Sequence, residues 1–81
     1  MMITIQVKLF ATLRRYYPQL GIGEAMPVEV SDGATIEQVI KKLYLPAEQV
    51  KILFVNGIVQ EMECELADED EVGIFPAVGG G

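Results

Sequence analysis

The sequence predicts an α+β fold in which one mixed β-sheet carries a single main helix on one face. Three observations support this prediction. Five short segments have the alternation or turn signals of strands, one segment has a capped amphipathic helix, and the helix lies between the second and third strands. The chain has 81 residues, of which 51% are hydrophobic and 22% are charged, and this composition is typical of one small globular domain.

The first strand is predicted over residues 3–10. Every second residue from Ile3 to Leu9 is apolar and the intervening positions are polar, so one face of the strand is expected to be buried. Residues 11–17 are predicted as a short helix. It must end before Pro18, because the residue that precedes a proline is disfavoured in the helical conformation.

The second strand is predicted over residues 27–30, and Pro27 places it at an edge because proline lacks an amide hydrogen for the ladder. The main helix follows over residues 35–43. It begins with a capping box formed by Thr35 as N-cap and Gln38 three residues later. One apolar stripe has helical spacing and consists of Ile36, Val39, Ile40 and Leu43.

The third and fourth strands are predicted as a hairpin over residues 50–55 and 58–60. Asn56-Gly57 between them is typical of a two-residue type I′ turn, in which both residues have positive φ. Residues 61–66 then alternate acidic and apolar side chains. We expect this segment either to bury Met62, Cys64 and Leu66 together or to form a mobile edge.

The last strand is predicted over residues 71–75, after an acidic turn at 68–70. The first and last strands are the most apolar, so we place them side by side and parallel at the centre of the sheet. The resulting fold is a β-grasp. It comprises a domain of residues 1–75 and a flexible tail of residues 76–81.

The tail ends on Gly79-Gly80-Gly81. Because glycine has no Cβ and tolerates any backbone angle, such a tail can enter a narrow channel in another protein. Extended, residues 76–81 would reach about 20 Å. The alternative is a frayed terminus without a function.

The residue types restrict the chemistry that this chain can perform. It has no histidine and one cysteine, Cys64, so we expect no metal site, no bound cofactor, no histidine-based catalytic site and no internal disulfide. The chain is therefore predicted to be a substrate rather than an enzyme. The lack of a signal peptide and of a long apolar run predicts a cytoplasmic protein without a membrane span.

The charge is unevenly distributed along the chain. Residues 1–51 carry all six basic side chains against five acidic ones, whereas residues 52–81 carry seven acidic side chains and no basic one. The net charge of −6 argues against nucleic-acid binding. It favours a partner with a basic docking surface, although solubility alone would also explain it.

Residues 68–81 contain an acidic turn, a strand that ends in Phe75-Pro76, a short spacer and terminal glycines. This segment resembles the C-terminal end of the small subunit of molybdopterin synthase and of the related thiamine-type sulfur carriers. Residues 9–14 resemble the Phe-Ala-x-x-Arg opening of the molybdopterin synthase subunit, and residues 55–57 resemble its central Val-Asn hairpin. The chain departs from that pattern at Ala77, where a second proline is common, and at the extra glycine Gly79.

This resemblance implies a ubiquitin-like fold and a sulfur carrier. An E1-like adenylyltransferase would use ATP to activate the Gly81 carboxylate, and a sulfur donor enzyme would convert it into a thiocarboxylate. The larger subunit of molybdopterin synthase would then use the sulfur. Gly80 would provide access to the acyl carbon and Gly79 flexibility. The alternatives are a carrier for thiamine thiazole or a tungsten cofactor, a ubiquitin-like modifier that forms an isopeptide bond through Gly81, and a simple binding module.

The partner-binding residues are predicted around the start of the tail. Phe75 and Phe10 have the parity of the uncovered sheet face, and Ile58 is expected to complete an apolar patch with them. The alternative is that both rings seal a second core under residues 11–17. Arg14 is expected to pair with acidic groups of a partner or to be solvated. The remaining predicted contacts are Pro76, Val78 and Gly79.

Overall fold

The computed structural model describes residues 1–77. The predictions for Val78, Gly79, Gly80 and Gly81 therefore lie outside the described residues. One sheet contains the strands β1 (Met2–Leu9), β2 (Met26–Ser31), β3 (Val50–Val55), β4 (Ile58–Gln60) and β5 (Glu71–Pro76). The α-helix α1 spans Ile36–Lys42, and two 3₁₀ helices span Ala11–Tyr16 and Ala47–Gln49.

The strand order in the sheet is β2-β1-β5-β3-β4. The two central strands β1 and β5 are parallel, with Val7 opposite Val72, and the other neighbouring strands are antiparallel. The strand β2 lies at an edge, as Pro27 predicts. The prediction of a β-grasp with parallel first and last strands at its centre is confirmed.

The helix α1 covers one face of the sheet and shares the core with it. Its buried residues Ile36, Val39 and Ile40 belong to one apolar cluster with the alternate residues of β1 and β5. The predicted capping box is present: the Gln38 N–H donates to Thr35 Oγ1 at 3.4 Å, and the Thr35 N–H donates to Gln38 Oε1 at 2.9 Å. Sequence and structure therefore agree on where this helix begins.

The segment after β4 supports the helix. It forms no strand; instead the Ile36 N–H donates to the Cys64 carbonyl and the Glu37 N–H donates to the Met62 carbonyl, each at 3.1 Å. Met62 and Cys64 pack against the core and Leu66 is buried. Of the two alternatives for residues 61–66, burial of the apolar side chains is correct.

The boundary between domain and tail differs from the prediction. The strand β5 includes Pro76, and the Ala77 N–H donates to the Gln49 carbonyl at 3.1 Å. The folded part thus extends two residues beyond the predicted end at residue 75. Local sequence could not show this, because the pairing partners lie on a strand more than twenty residues earlier.

Candidate functional site

Three phenylalanines cluster on the sheet face that α1 leaves uncovered. The rings of Phe10 and Phe75 stack with centroids 4.1 Å apart and planes 2° from parallel. The ring of Phe54 meets Phe75 edge-on, with centroids 5.4 Å apart. All three are half-buried, and none belongs to the core cluster. We call Phe10, Phe54 and Phe75 the aromatic cluster.

Strand alternation places these rings together. Phe75 follows the buried Ile74, and Phe54 lies between the buried Leu53 and Val55. The Phe10 N–H donates to the Ile74 carbonyl at 3.2 Å, which holds the end of β1 beside β5. The predicted meeting of Phe10 and Phe75 on this face is observed. Phe54 was missed, although its parity within β3 was a usable signal.

Gly73 lies at the floor of the aromatic cluster. A Cβ built on this residue would lie 3.3 Å from Phe10 Cε2, 3.7 Å from Phe75 Cε1 and 3.8 Å from Phe54 Cβ. Glycine in a strand commonly marks such a close approach. The groove above it has a volume of about 270 Å³ and is lined by Lys8, Phe10, Phe54, Gly57, Glu71, Gly73 and Phe75.

The rim of this groove is charged and held by the β3–β4 hairpin. Lys8 Nζ lies 3.4 Å from Glu71 Oε1. Asn56, with φ of 52° in the predicted type I′ turn, accepts a hydrogen bond from the Glu71 N–H and donates one to Asp70 Oδ1, both at 2.9 Å. The Val-Asn-Gly motif therefore ties the hairpin to the start of β5.

The prediction that Ile58 lies beside the rings is wrong, because the register of the β3–β4 hairpin places this residue on the other face of the sheet. Ile58 pairs with Val55, whose side chain faces the core, so Ile58 lies on the helix side of the sheet and is 64% exposed. Val59 pairs with Phe54 and is 59% exposed, so this residue extends the uncovered face. A two-residue turn always pairs the residues that flank it, and that rule could have identified Val59.

A series of hydrogen bonds links Arg15 to Ala77 at the base of the tail. Arg15 donates to the Tyr16 hydroxyl at 3.3 Å, and that hydroxyl donates to Gln49 Oε1 at 3.4 Å. The carbonyl of Gln49 in turn accepts the Ala77 N–H. Arg14 is half-buried, and within residues 1–77 its Nε is buried without a hydrogen-bond partner.

Pro76 does not lie at the surface where a partner contact was predicted. It is buried at the end of β5, opposite Val50. The reason is that the sheet continues one residue further than the alternation of apolar residues indicates.

Within residues 1–77, no group of three or more acidic, cysteine or histidine side chains is arranged to hold a metal ion. In that same part of the chain, no helix has both the length and the apolar character needed to cross a membrane.

Residues 7–81 match the sequence model of the ThiS family. The chain belongs to the ThiS family. The match covers most of the folded domain and the glycine tail. No curated protein sequence matches the chain significantly.

Solved structures support the same fold. The HVO 2177 protein of Haloferax volcanii is 26% identical, with a TM-score of 0.77, and the match covers 99% of this chain and 88% of that protein. Small archaeal modifier protein 1 of Methanosarcina acetivorans is 25% identical, with a TM-score of 0.71 and coverage of 100% and 99%. A Pyrococcus furiosus protein named as molybdopterin converting factor, subunit 1, is 24% identical, with a TM-score of 0.70 and coverage of 94% and 99%.

This ThiS-family member thus has the ubiquitin-like fold shared by sulfur carriers and small archaeal modifiers. Proteins of this kind are small carriers that work with E1-like activating enzymes and partner subunits.

Proposed function

We propose that this protein is a sulfur carrier for molybdopterin synthesis and that the Gly81 carboxylate carries the sulfur. The family match supports the proposal most strongly, because it extends through residue 81 and so includes the glycines that would react. The Phe10-Ala11-x-x-Arg14 opening favours the molybdopterin pathway over the thiazole pathway, since the resemblance assigns this motif to the molybdopterin synthase subunit.

The proposed chemistry begins with a carboxylate that resists nucleophiles. A Gly81 carboxylate oxygen attacks the α-phosphorus of ATP, pyrophosphate leaves, and the product is an acyl-adenylate. Hydrosulfide, or a donor equivalent to it, then attacks the acyl carbon, and AMP leaves with the electron pair of the broken C–O bond. The remaining thiocarboxylate is a better nucleophile than the carboxylate. Its sulfur attacks a carbon of the acceptor and displaces a leaving group, and water then hydrolyses the resulting thioester, which leaves the sulfur on the acceptor and regenerates the Gly81 carboxylate.

The fold is suited to presenting a chain end to another enzyme. The central strand β5 contributes Phe75 to the aromatic cluster and ends at Pro76, so the tail starts beside an apolar surface. From Ala77, four further residues would extend at most about 13 Å. An enzyme that binds the aromatic cluster would therefore have Gly81 within reach of its active site.

The intact mass of the protein purified from its cells tests this proposal. We expect a species in which one oxygen is replaced by one sulfur, and we expect fragmentation to assign the sulfur to Gly81. The intact mass also tests whether Gly81 is the last residue and therefore provides the carboxyl group. A population with only an unmodified carboxylate, purified from cells that actively make molybdopterin, would overturn the proposal.

Deletion of Gly81 is the matching mutational test. The acyl carbon would then lie about 3.3 Å short of its position, and we expect sulfur loading to be abolished. The melting temperature should be almost unchanged. Ala77→Gly is the control, because it alters an exposed residue at the base of the same tail but keeps the length and all three terminal glycines; we expect it to load normally.

A ubiquitin-like modifier is the second candidate. The similarity to small archaeal modifier protein 1 over the full length of both chains favours it. In that case a lysine amino group of a target would attack the activated Gly81, and covalent adducts with a glycine remnant on lysine would appear in the cell lysate. Adducts without any thiocarboxylate would select this function over sulfur transfer, and loss of thiamine synthesis after gene deletion would select the thiazole pathway.

A further inference from the structure

We propose that Gln49 and Tyr16 are positioning residues, which hold the start of the tail in one direction and so orient the Gly81 carboxylate for adenylation. The inference rests on the proposed function and names residues that act on the tail from outside it. The Tyr16 hydroxyl donates to Gln49 Oε1, and the Ala77 N–H donates to the Gln49 carbonyl. We call Tyr16, Gln49 and Ala77 the tail anchor.

The backbone of Ala77 is the point at which the tail is held. Pro76, the last residue of β5, has no amide hydrogen, so of the last two described residues only Ala77 can donate a backbone hydrogen bond. Ala77 donates to the Gln49 carbonyl at 3.1 Å, although its side chain is exposed. The direction in which the chain leaves the sheet at Ala77 thus depends on one acceptor.

The acceptor belongs to a short element that needs support. Gln49 ends the 3₁₀ helix Ala47–Gln49, which is a single turn closed by the bond from the Gln49 N–H to the Pro46 carbonyl at 3.0 Å. The pairing of β3 with β5 is irregular immediately afterwards, between Val50 and Ile52. Because neither neighbour is a regular ladder or a long helix, contacts of the Gln49 side chain help to fix its carbonyl.

Tyr16 provides such a contact from the other 3₁₀ helix. Its hydroxyl donates to Gln49 Oε1 at 3.4 Å and accepts a hydrogen bond from Arg15 at 3.3 Å. Arg15 Cζ also lies 5.3 Å from the centre of the Tyr16 ring, within the range of a cation–π contact. Arg15 thus holds the Tyr16 side chain, and two 3₁₀ helices that are distant in the sequence meet at the start of the tail.

The tail anchor should affect the reaction more than binding. A misplacement of about 1 Å can lower the rate of a chemical step by about 100-fold. Only four residues, a span of at most about 13 Å, separate Ala77 from the reacting end, so a change in direction at Ala77 displaces Gly81 directly. Gln49 and Tyr16 lie outside the aromatic cluster, and their substitution leaves that surface unchanged.

ATP–pyrophosphate exchange by the adenylating enzyme of the same cells, with this protein as substrate, tests the positioning role. We expect Tyr16→Phe and Gln49→Ala each to lower kcat by about 2- to 10-fold, the factor by which one hydrogen bond shifts an equilibrium. The KM for the carrier should not change. Gln49→Glu keeps an acceptor for the Tyr16 hydroxyl and should retain the wild-type kcat.

Tyr17→Phe is the matched control. It removes the same hydroxyl from the adjacent residue, and the hydrogen bond that it breaks, to the Leu43 carbonyl at 3.0 Å, lies at the end of α1 rather than at the tail. We expect wild-type kcat and KM for this variant even where its melting temperature falls. A loss of stability is thereby distinguished from a loss of positioning.

Amide hydrogen exchange of Ala77, measured by NMR, tests the tail anchor without the enzyme. Tyr16→Phe should accelerate the exchange of this amide by about 2- to 10-fold, whereas Tyr17→Phe should not. The Phe10 amide, which donates to the Ile74 carbonyl, is the internal reference in each variant. Equal Ala77 exchange in the wild type and Tyr16→Phe would overturn the tail anchor.

The outcomes separate this inference from the proposed function. If the wild-type protein supports no ATP–pyrophosphate exchange, the proposed function fails and the positioning role fails with it. If the wild type and Tyr17→Phe support that exchange and Tyr16→Phe has the same kcat, the positioning role is overturned while the carrier function stands. A rise in KM at constant kcat would likewise overturn it, because it would assign these residues to binding.

Discussion

On the helix-covered face of the sheet, Ile5, Val7 and Val72 have no solvent exposure, whereas on the opposite face Phe10, Phe54 and Phe75 pack against one another and stay partly accessible. The covered face joins one continuous cluster with α1. The uncovered face forms a groove with a charged rim. The same strands β1, β3 and β5 build both surfaces.

Consecutive residues in these strands therefore have separate roles. Because side chains alternate across a strand, Ile74 contributes to stability while Phe75, the next residue, is available to a partner. Substitutions on the two faces should therefore be separable by experiment.

The largest effect on stability is expected from Ile74→Ala. Ile74 is fully buried at the centre of the sheet, and removal of its side chain should lower the free energy of unfolding by about 2–5 kcal/mol. Chemical denaturation with urea measures this change.

Phe75→Ala is the matched variant on the other face. Phe75→Ala should lower the free energy of unfolding by less than Ile74→Ala does. Under conditions where both variants are folded, Phe75→Ala should cause the larger rise in the KM of the adenylating enzyme for the carrier, measured by ATP–pyrophosphate exchange. An equal stability loss for both variants, with equal enzyme binding, would remove the distinction between the faces.

Asn56→Ala should have the next largest effect, a loss of about 2 kcal/mol. The substitution removes two hydrogen bonds to the start of β5 and places alanine at φ of 52°. Denaturation of Asn56→Gly separates the two causes, since glycine adopts this φ without strain. If Asn56→Gly is as stable as wild type, the hydrogen bonds contribute nothing.

A double-mutant cycle with Phe10→Ala and Phe75→Ala measures the stacked pair. At a centroid distance of 4.1 Å, we expect a coupling energy of roughly 0.5–1.5 kcal/mol in unfolding. A coupling near zero would mean that the rings are held by the sheet rather than by each other. The aromatic cluster would then be a set of independent contacts.

The smallest effect, and one of opposite sign, is expected at the end of α1. Tyr44 has φ of 58° and is 88% exposed, and the Leu45 N–H donates to the Ile40 carbonyl in the hydrogen-bond pattern that normally places glycine at this position. Tyr44→Gly should stabilise the protein by roughly 0.5–1 kcal/mol. Thermal unfolding measures it, and destabilisation would show that the Tyr44 side chain makes a stabilising contact.

Local sequence signals predicted the main helix, the strands and much of their arrangement in the sheet. Alternation from Ile3 to Leu9, the Thr35–Gln38 capping box and the Asn56-Gly57 turn are local signals, and each acts through residues within a few positions of one another. The edge position of β2 followed in the same way from Pro27, because the missing amide hydrogen belongs to that residue alone.

The presence of Phe54 and Val59 beside Phe10 and Phe75 on the uncovered face follows from strand pairings that local sequence does not specify. The rings of Phe10, Phe54 and Phe75 come together over Gly73 from the residue after β1, from β3 and from β5, and this close approach depends on the register of β5 with both neighbours. The same registers placed Val59 rather than Ile58 beside the rings and buried Pro76 in the sheet. A shift of one residue in any pairing would move a side chain to the opposite face, and such pairings join segments distant in the chain.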